Sequence, residues 1–214
     1  LALARVAVRW ATSARVTLVI GAGLCLVLLV AGDHDYANLH TILDTACCLL
    51  SGVLALLLWD IGRRTPLLVA SLVSLSFGVG FVAELLHVAV TVDWFGRLGW
   101  ITMGREELRP ALWPVALYVL SLGVCASLVI RRLGERGLAG FGLGLLVAAA
   151  LLGWLFVELP RSTAPGPLGI TRPTLIGVPL IWTVVAVACW RRRALDRLYP
   201  MLVVTSILLA VANI

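Results

Sequence analysis

The sequence contains no lysine and few charged residues of any kind. Only 13% of its 214 residues are charged, and all 17 basic side chains are arginine. It also lacks a Walker loop, a Gly-x-Ser-x-Gly elbow, a glycine-rich dinucleotide turn and any nucleic-acid-binding module. The residues therefore offer no catalytic machinery, and we expect neither an enzyme nor a nucleic-acid partner.

The cysteines form no Cys-x-x-Cys pair, and all five fall inside apolar runs. In that setting cysteine is a small buried apolar residue. We therefore expect neither disulfide bridges nor a zinc knot. The five residues are Cys25, Cys47, Cys48, Cys125 and Cys189.

Long apolar runs dominate the chain. Hydrophobic residues account for 61% of it, and runs of about 15–20 residues recur, close to the length that a membrane-spanning helix needs. The sequence predicts an all-α fold, a polytopic transmembrane helix bundle that forms one domain over residues 1–214. We expect an interfacial helix at residues 1–15. Spans are predicted at residues 16–31, 37–59, 67–92, 112–130, 138–157, 175–190 and 199–214.

The last of these seven spans is too short to cross a lipid bilayer unaided. We therefore expect the natural protein to continue beyond Ile214, with an eighth span as an open alternative.

Arginine is distributed unevenly between the two sides of the predicted bundle. Twelve arginines fall on one side, in residues 1–15, a turn at residues 60–66, and segments 131–136 and 191–197. Only five fall in the connections on the other side. Because arginine-rich loops stay in the cytoplasm, the N-terminus is predicted to be cytoplasmic and the loop at residues 93–111 to lie outside.

Four ionisable side chains lie near the outer ends of two neighbouring spans, which form a hairpin at residues 37–92. His40 and Asp44 open one span, in LHTILDT, and Glu84 and His87 close the next, in ELLH. Their spacings of four and three residues place each pair on one helix face. Since ionisable groups are costly at membrane depth, they indicate a functional site by default.

The register of this hairpin brings the two pairs together. With its centre at residues 63–64, His40 lies at the depth of His87, and the two carboxylates lie at equal depth one turn further in. Small residues continue below them, with Cys47 opposite Gly80. Small side chains allow membrane helices to approach closely, so the four polar groups are expected to converge on one centre.

Two imidazoles and two carboxylates suit a divalent transition-metal ion, and zinc, copper, iron and manganese are all chemically possible. The alternative is a hydrogen-bonded polar clasp that joins two helices without an ion. A proton relay and an organic ligand also stay open. A b-type haem between His40 and His87 is less natural, because carboxylates stand beside both histidines.

Two further residues are candidate ligands. His34, flanked by two aspartates, lies in the loop at the mouth of the site, where a solvated histidine is the alternative. Cys47 lies one turn below Asp44 on the same helix face and would supply a soft ligand. The loop at residues 93–111 is long enough to cover the site as a lid.

The two motifs resemble those of the membrane-associated sensor domains (the MASE group) of bacterial signalling proteins. In that group a His-Thr-x-x-acid stretch opens one span and an acid-x-x-His stretch closes the next. Here these stretches are His40, Thr41 and Asp44, and then Glu84 and His87.

The resemblance implies a sensory domain in a bacterial inner (plasma) membrane. Members stand at the N-terminus of histidine kinases, as in two-component systems, or of diguanylate cyclases. It therefore implies a homodimer and a cytoplasmic output domain beyond Ile214. This chain departs from the pattern because it contains no output domain.

A second class of function stays open, namely a membrane subunit that carries haem or a metal, or a small transporter, without signalling output. Electron transfer would call for a further histidine pair at the inner depth, and all three histidines are on the outer side. A transport path should show polar or broken helices at midplane. Only Ser51, Ser74 and Ser76 offer that.

Overall fold

The computed structural model describes most of the chain that follows residue 35. The described residues are 36–65, 67–92, 94, 96–130, 132–158, 175–195 and 198–212. The predicted interfacial helix, the predicted span at residues 16–31 and His34 lie outside them. The side chain of His40 also lies outside the description, although its backbone is helical.

The described residues form six α-helices and one 3₁₀ helix, with no β-strand among them, so the all-α prediction is confirmed. The α-helices are α1 (Tyr36–Arg64), α2 (Leu68–Thr91), α3 (Arg105–Val129), α4 (Glu135–Glu158), α5 (Gly177–Arg191) and α6 (Leu198–Ala212). The 3₁₀ helix, Gly96–Gly104, precedes α3.

Four of these helices are long and apolar enough to cross a membrane. They are α2, α3, α4 and the Thr41–Arg64 part of α1. Helices α5 and α6 are apolar but have only 15 residues each, or about 22 Å of helix against a hydrocarbon core of about 30 Å. Among the described residues, therefore, four of the predicted spans have full length and the last two are short.

Helices α2 and α3 lie at the centre of the packing. About half of each apolar stretch is buried, 56% and 50%, whereas α1 and α4 are only 6% and 11% buried. Small residues permit the close approach. A Cβ atom added at Gly123 of α3 would lie 2.8 Å from the Cβ of Ser76 on α2, so only glycine fits there.

Two apolar clusters stabilise this centre. One joins α2 and α3 to α5 and α6 around the fully buried Trp182. The other joins α2 and α3 to α4 around Val115, Val119 and Phe156. The central pair is thus enclosed mainly by α4, α5 and α6, while α1 stays largely exposed.

The connection predicted at residues 93–111 contains helical structure. Its 3₁₀ helix leads into α3, which begins two turns before the predicted span. Glu106 and Glu107 lie in the first turn of α3, where negative side chains are favoured by the positive end of the helix dipole.

The turn between α1 and α2 begins later in the chain than predicted, because most of residues 60–66 belong to α1. Helix α1 continues through the predicted turn to Arg64, and an exposed Asp60–Arg64 ion pair at 2.8 Å lies in this added stretch. The helix ends just before Pro66, as the residue preceding a proline disfavours helix. The centre of the hairpin therefore lies about two residues later than predicted. Each α1 residue lies opposite an α2 residue about one helical turn further along the chain than the predicted partner.

The chain divides into two compact units, Leu1–Leu43 and Asp44–Ile214. Only the α1 backbone of the first unit is described, together with the side chains of residues 41–43. All contacts discussed below lie within the second unit.

Candidate functional site

The imidazole of His87 on α2 links α1 to α3. Its Nε2 atom lies 3.3 Å from Oδ2 of Asp44 on α1, and its Nδ1 atom lies 2.9 Å from the backbone carbonyl oxygen of Arg109 on α3. The side chains of His87 and Asp44 are only 4% and 14% exposed. One ring thus makes polar contacts with two neighbouring helices in an apolar environment.

The chemistry of these partners determines where the protons lie. A backbone carbonyl only accepts hydrogen bonds, so Nδ1 must carry a proton and donate it to Arg109. In neutral histidine Nε2 is then an acceptor, and an ionised carboxylate is an acceptor too. The contact between Nε2 and Asp44 therefore needs a proton on one of the two groups, or a cation between them.

Glu84 adds a second carboxylate beside this pair. It lies one turn before His87 on α2, is partly buried, and lies close enough to Asp44 for the two carboxylates to interact electrostatically. Its carboxylate also interacts electrostatically with the thiols of Cys47 and Cys48. The arrangement is electronegative and suits a cation.

The spacing of the two acceptors is compatible with a shared metal ion. Two ligands bound tetrahedrally at about 2.0–2.1 Å lie roughly 3.3 Å apart, which matches the distance from His87 to Asp44. Among the described side chains, however, no group of three or more histidine, cysteine, aspartate or glutamate residues converges closely enough to hold an ion. A full coordination shell would therefore require further ligands.

The structure brings Asp44, Glu84 and His87 together, but in a different register from the predicted one. Asp44 meets His87 rather than Glu84, because the displaced turn moves its partner by one helical turn. The predicted pairing of the two carboxylates at equal depth is therefore wrong. The two predicted ligands His40 and His34 lie outside the described side chains and stay predictions.

Cys47 does not face α2 as the register predicted. Its side chain is exposed, whereas the adjacent Cys48 is buried and points its Sγ atom at the carbonyl oxygen of Phe81, 3.9 Å away. Neighbouring residues on a helix are about 100° apart, so only one of these two thiols can face α2. Cys47 stays near Asp44 and Glu84 electrostatically, at the edge of the site.

The carbonyl of Arg109 is the functional group that the sequence did not reveal. Every residue has a carbonyl, so no side-chain pattern distinguishes this one. Residues 93–111 were predicted to cover the site as a lid. The contact that the structure shows from this segment is the one between the Arg109 carbonyl and His87.

The end of α2 that carries His87 is held in place by further hydrogen bonds. Trp94 donates from Nε1 to the carbonyl of Ala89 at 2.7 Å, which satisfies one of the free carbonyls of the last helical turn. Thr91 donates from Oγ1 to the carbonyl of His87 at 2.8 Å. The imidazole therefore projects from a helix end with little freedom.

No known protein-family model, curated protein or solved structure matches this chain significantly. The likeness to membrane-associated sensor domains therefore stays a prediction that depends on the two motifs.

Replacing Asp44 tests the hydrogen bond to His87. Asp44→Asn should keep most of the stability, because the amide can donate to a neutral Nε2. Asp44→Leu leaves a buried acceptor without its partner and should cost about 1–3 kcal/mol. Unfolding in detergent micelles measures both, with Asp60→Asn and Asp60→Leu as controls, since the exposed Asp60–Arg64 pair contributes about 0.5 kcal/mol or less. Equal losses at positions 44 and 60 would contradict the assigned bond.

Proposed function

We propose that this chain is the sensory domain of a membrane signalling protein, and that the site around His87 binds a divalent transition-metal ion. The observation that supports this proposal is the 3.3 Å contact between Nε2 of His87 and Oδ2 of Asp44, two atoms that can both bind a metal ion. Zinc, copper, iron and manganese all accept imidazole and carboxylate ligands.

The proposed ligands are the imidazole of His87 and the carboxylates of Asp44 and Glu84. His40, four residues before Asp44 in the sequence, stays the fourth ligand that the motif predicts. A divalent ion would take the place of the proton between Asp44 and His87. It would also offset the repulsion between Asp44 and Glu84, which lie close together with little solvent to screen them.

The weak burial of α1 supports a sensory role. Since only 6% of its apolar stretch is buried, few contacts hold it against α2, and Asp44 supplies one of them. An ion that binds Asp44 together with α2 residues favours arrangements in which the helix ends are close. Such differential affinity is what a ligand needs in order to shift a conformational equilibrium. The cytoplasmic output domain and the homodimer are proposed from the sensor resemblance.

Purified protein should contain one transition-metal ion per chain. His87→Ala and Asp44→Asn should both lose most of it, because an alanine has no ligand atom and an amide binds transition metals poorly. Metal analysis after equilibration with zinc, copper, iron and manganese measures this, with Asp60→Asn as the matched control on the same helix. If wild-type protein takes up no metal but Asp44→Asn stays stable, the site is a hydrogen-bonded clasp.

Metal binding should also change the distance between helices at the opposite end of the bundle. Spin labels at Ile61 of α1 and Glu135 of α4, both exposed, report this distance in a cysteine-free background. The distance distribution should shift when metal is added to wild-type protein and stay constant in His87→Ala. A protein that binds metal with no such shift is a passive metal carrier, and the cofactor-subunit interpretation replaces the sensory one.

The proposed site faces the outside of a bacterial inner membrane, and the N-terminus faces the cytoplasm. The uneven distribution of arginine supports this orientation. Single cysteines at Glu106 and Glu135 test it in a cysteine-free background, since both positions are exposed. An impermeant maleimide should label position 106 in intact cells, and position 135 only after permeabilisation. The opposite pattern would reverse the orientation.

A further inference from the structure

Two thiols lie on neighbouring helices at the end of the bundle where α1 ends. Cys125 belongs to α3 and Cys189 to α5. Cys189 is fully buried and forms part of the apolar cluster around Trp182, against which Cys125 packs. The two cysteines are far apart in the sequence and form no motif there, so only the fold reveals them as a pair.

Helices α3 and α5 run side by side in the same direction. Tyr118 of α3 lies against Gly177 at the start of α5, where an added Cβ atom would lie 3.0 Å from Cε1 of the tyrosine. Further along both helices, the guanidinium of Arg192, at the end of α5, donates to the carbonyl oxygen of Leu128 in the last turn of α3. Because the two contacts occur in the same order along both helices, α3 and α5 are parallel.

The register of these helices places the two thiols at about the same depth. Leu128 and Arg192 are 64 residues apart in the sequence, and so are Cys125 and Cys189. Cys125 precedes Leu128 by three residues, which places both on one face of α3. Cys189 precedes Arg192 by the same three residues. The thiols therefore face each other one turn below the arginine contact, and they interact electrostatically.

The surroundings of this thiol pair are electropositive. The guanidinium of Arg192 interacts electrostatically with Cys189, and that of Arg193 lies near, 4.2 Å from the ring centroid of Trp190. Neighbouring positive side chains stabilise the thiolate form of cysteine. In the described part of the chain, no carboxylate or imidazole joins the two thiols in a group of three or more ligands. An ion held here would therefore have two thiolate ligands.

The number and softness of these ligands determine which ion fits. Structural zinc sites are almost always four-coordinate, so two thiolates alone suit zinc poorly. Thiolates select soft ions such as Cu(I), and soft monovalent ions accept two ligands in a linear arrangement. Two thiolates around one monovalent ion leave a single negative charge. The guanidinium of Arg192 is placed to offset that charge.

We propose that Cys125 and Cys189 together bind one soft monovalent metal ion, of the Cu(I) and Ag(I) class, between the ends of α3 and α5. Binding releases the two thiol protons and forms two metal–sulfur bonds without a change in oxidation state. Both residues lie within about one turn of the helix ends, and Cys125 is only partly buried, so an ion can reach the pair from the membrane surface. The proposal does not depend on the site around His87.

Cu(I) binding by the full chain tests the proposal. The purified protein is reduced with a phosphine, kept free of oxygen and titrated with Cu(I) that is buffered by a chromophoric chelator. Cys125→Ala and Cys189→Ala should each bind the ion at least about 100-fold more weakly than wild-type protein, since even changes beside a metal ligand cost about 10–100-fold. Cys48→Ala is the matched control, because Cys48 is a buried thiol outside the pair, and it should bind as wild-type protein does.

X-ray absorption at the copper edge gives a second measurement that depends on no cysteine variant folding. Copper in wild-type protein should have two sulfur neighbours. His87→Ala should keep this signature, which separates the thiol pair from the site proposed around His87. Copper with only nitrogen and oxygen neighbours would overturn the proposal. So would undiminished Cu(I) binding in Cys125→Ala and Cys189→Ala, or wild-type protein that takes up no Cu(I).

Discussion

A membrane interior supplies no water, so every buried polar atom has to find its partner within the protein. The described part of this chain meets that requirement completely, since none of its buried side-chain nitrogen or oxygen atoms lacks a hydrogen-bond partner. Most buried serines return their hydroxyl to a carbonyl of their own helix, as Ser76 and Ser127 do. Ser74 instead donates to the carbonyl of Ala55 across the hairpin, at 2.6 Å. Polar contacts between helices are therefore few, and each of them restricts how two helices can be placed.

The site at His87 is the most demanding of these contacts. Its two ring nitrogens face two acceptors, and the carbonyl of Arg109 can be satisfied only by a protonated Nδ1. The other nitrogen, Nε2, faces Asp44 at 3.3 Å. One imidazole therefore links α1, α2 and α3.

The sequence predicted some of this arrangement better than the rest. Run length identified the apolar helices, because the membrane imposes a length on them. Helical spacing placed Asp44, Glu84 and His87 in one neighbourhood. The register was off by one helical turn because α1 continues to Arg64, through residues that were predicted as a turn. The predicted connection at residues 93–111 includes a 3₁₀ helix and the first turns of α3, and it contains no apolar run long enough to indicate a span.

The attachment of α1 differs between its two ends, and this has a mechanical consequence. At the Arg64 end the backbones nearly touch, since a Cβ atom at Gly62 would lie 2.9 Å from the backbone nitrogen of Ser71. At the opposite end the helix is held by the contact between Asp44 and His87. Asp44 and Gly62 are about 27 Å apart along the helix. A small rotation of α1 about the close contact at Gly62 would therefore displace Asp44 more than any residue between them.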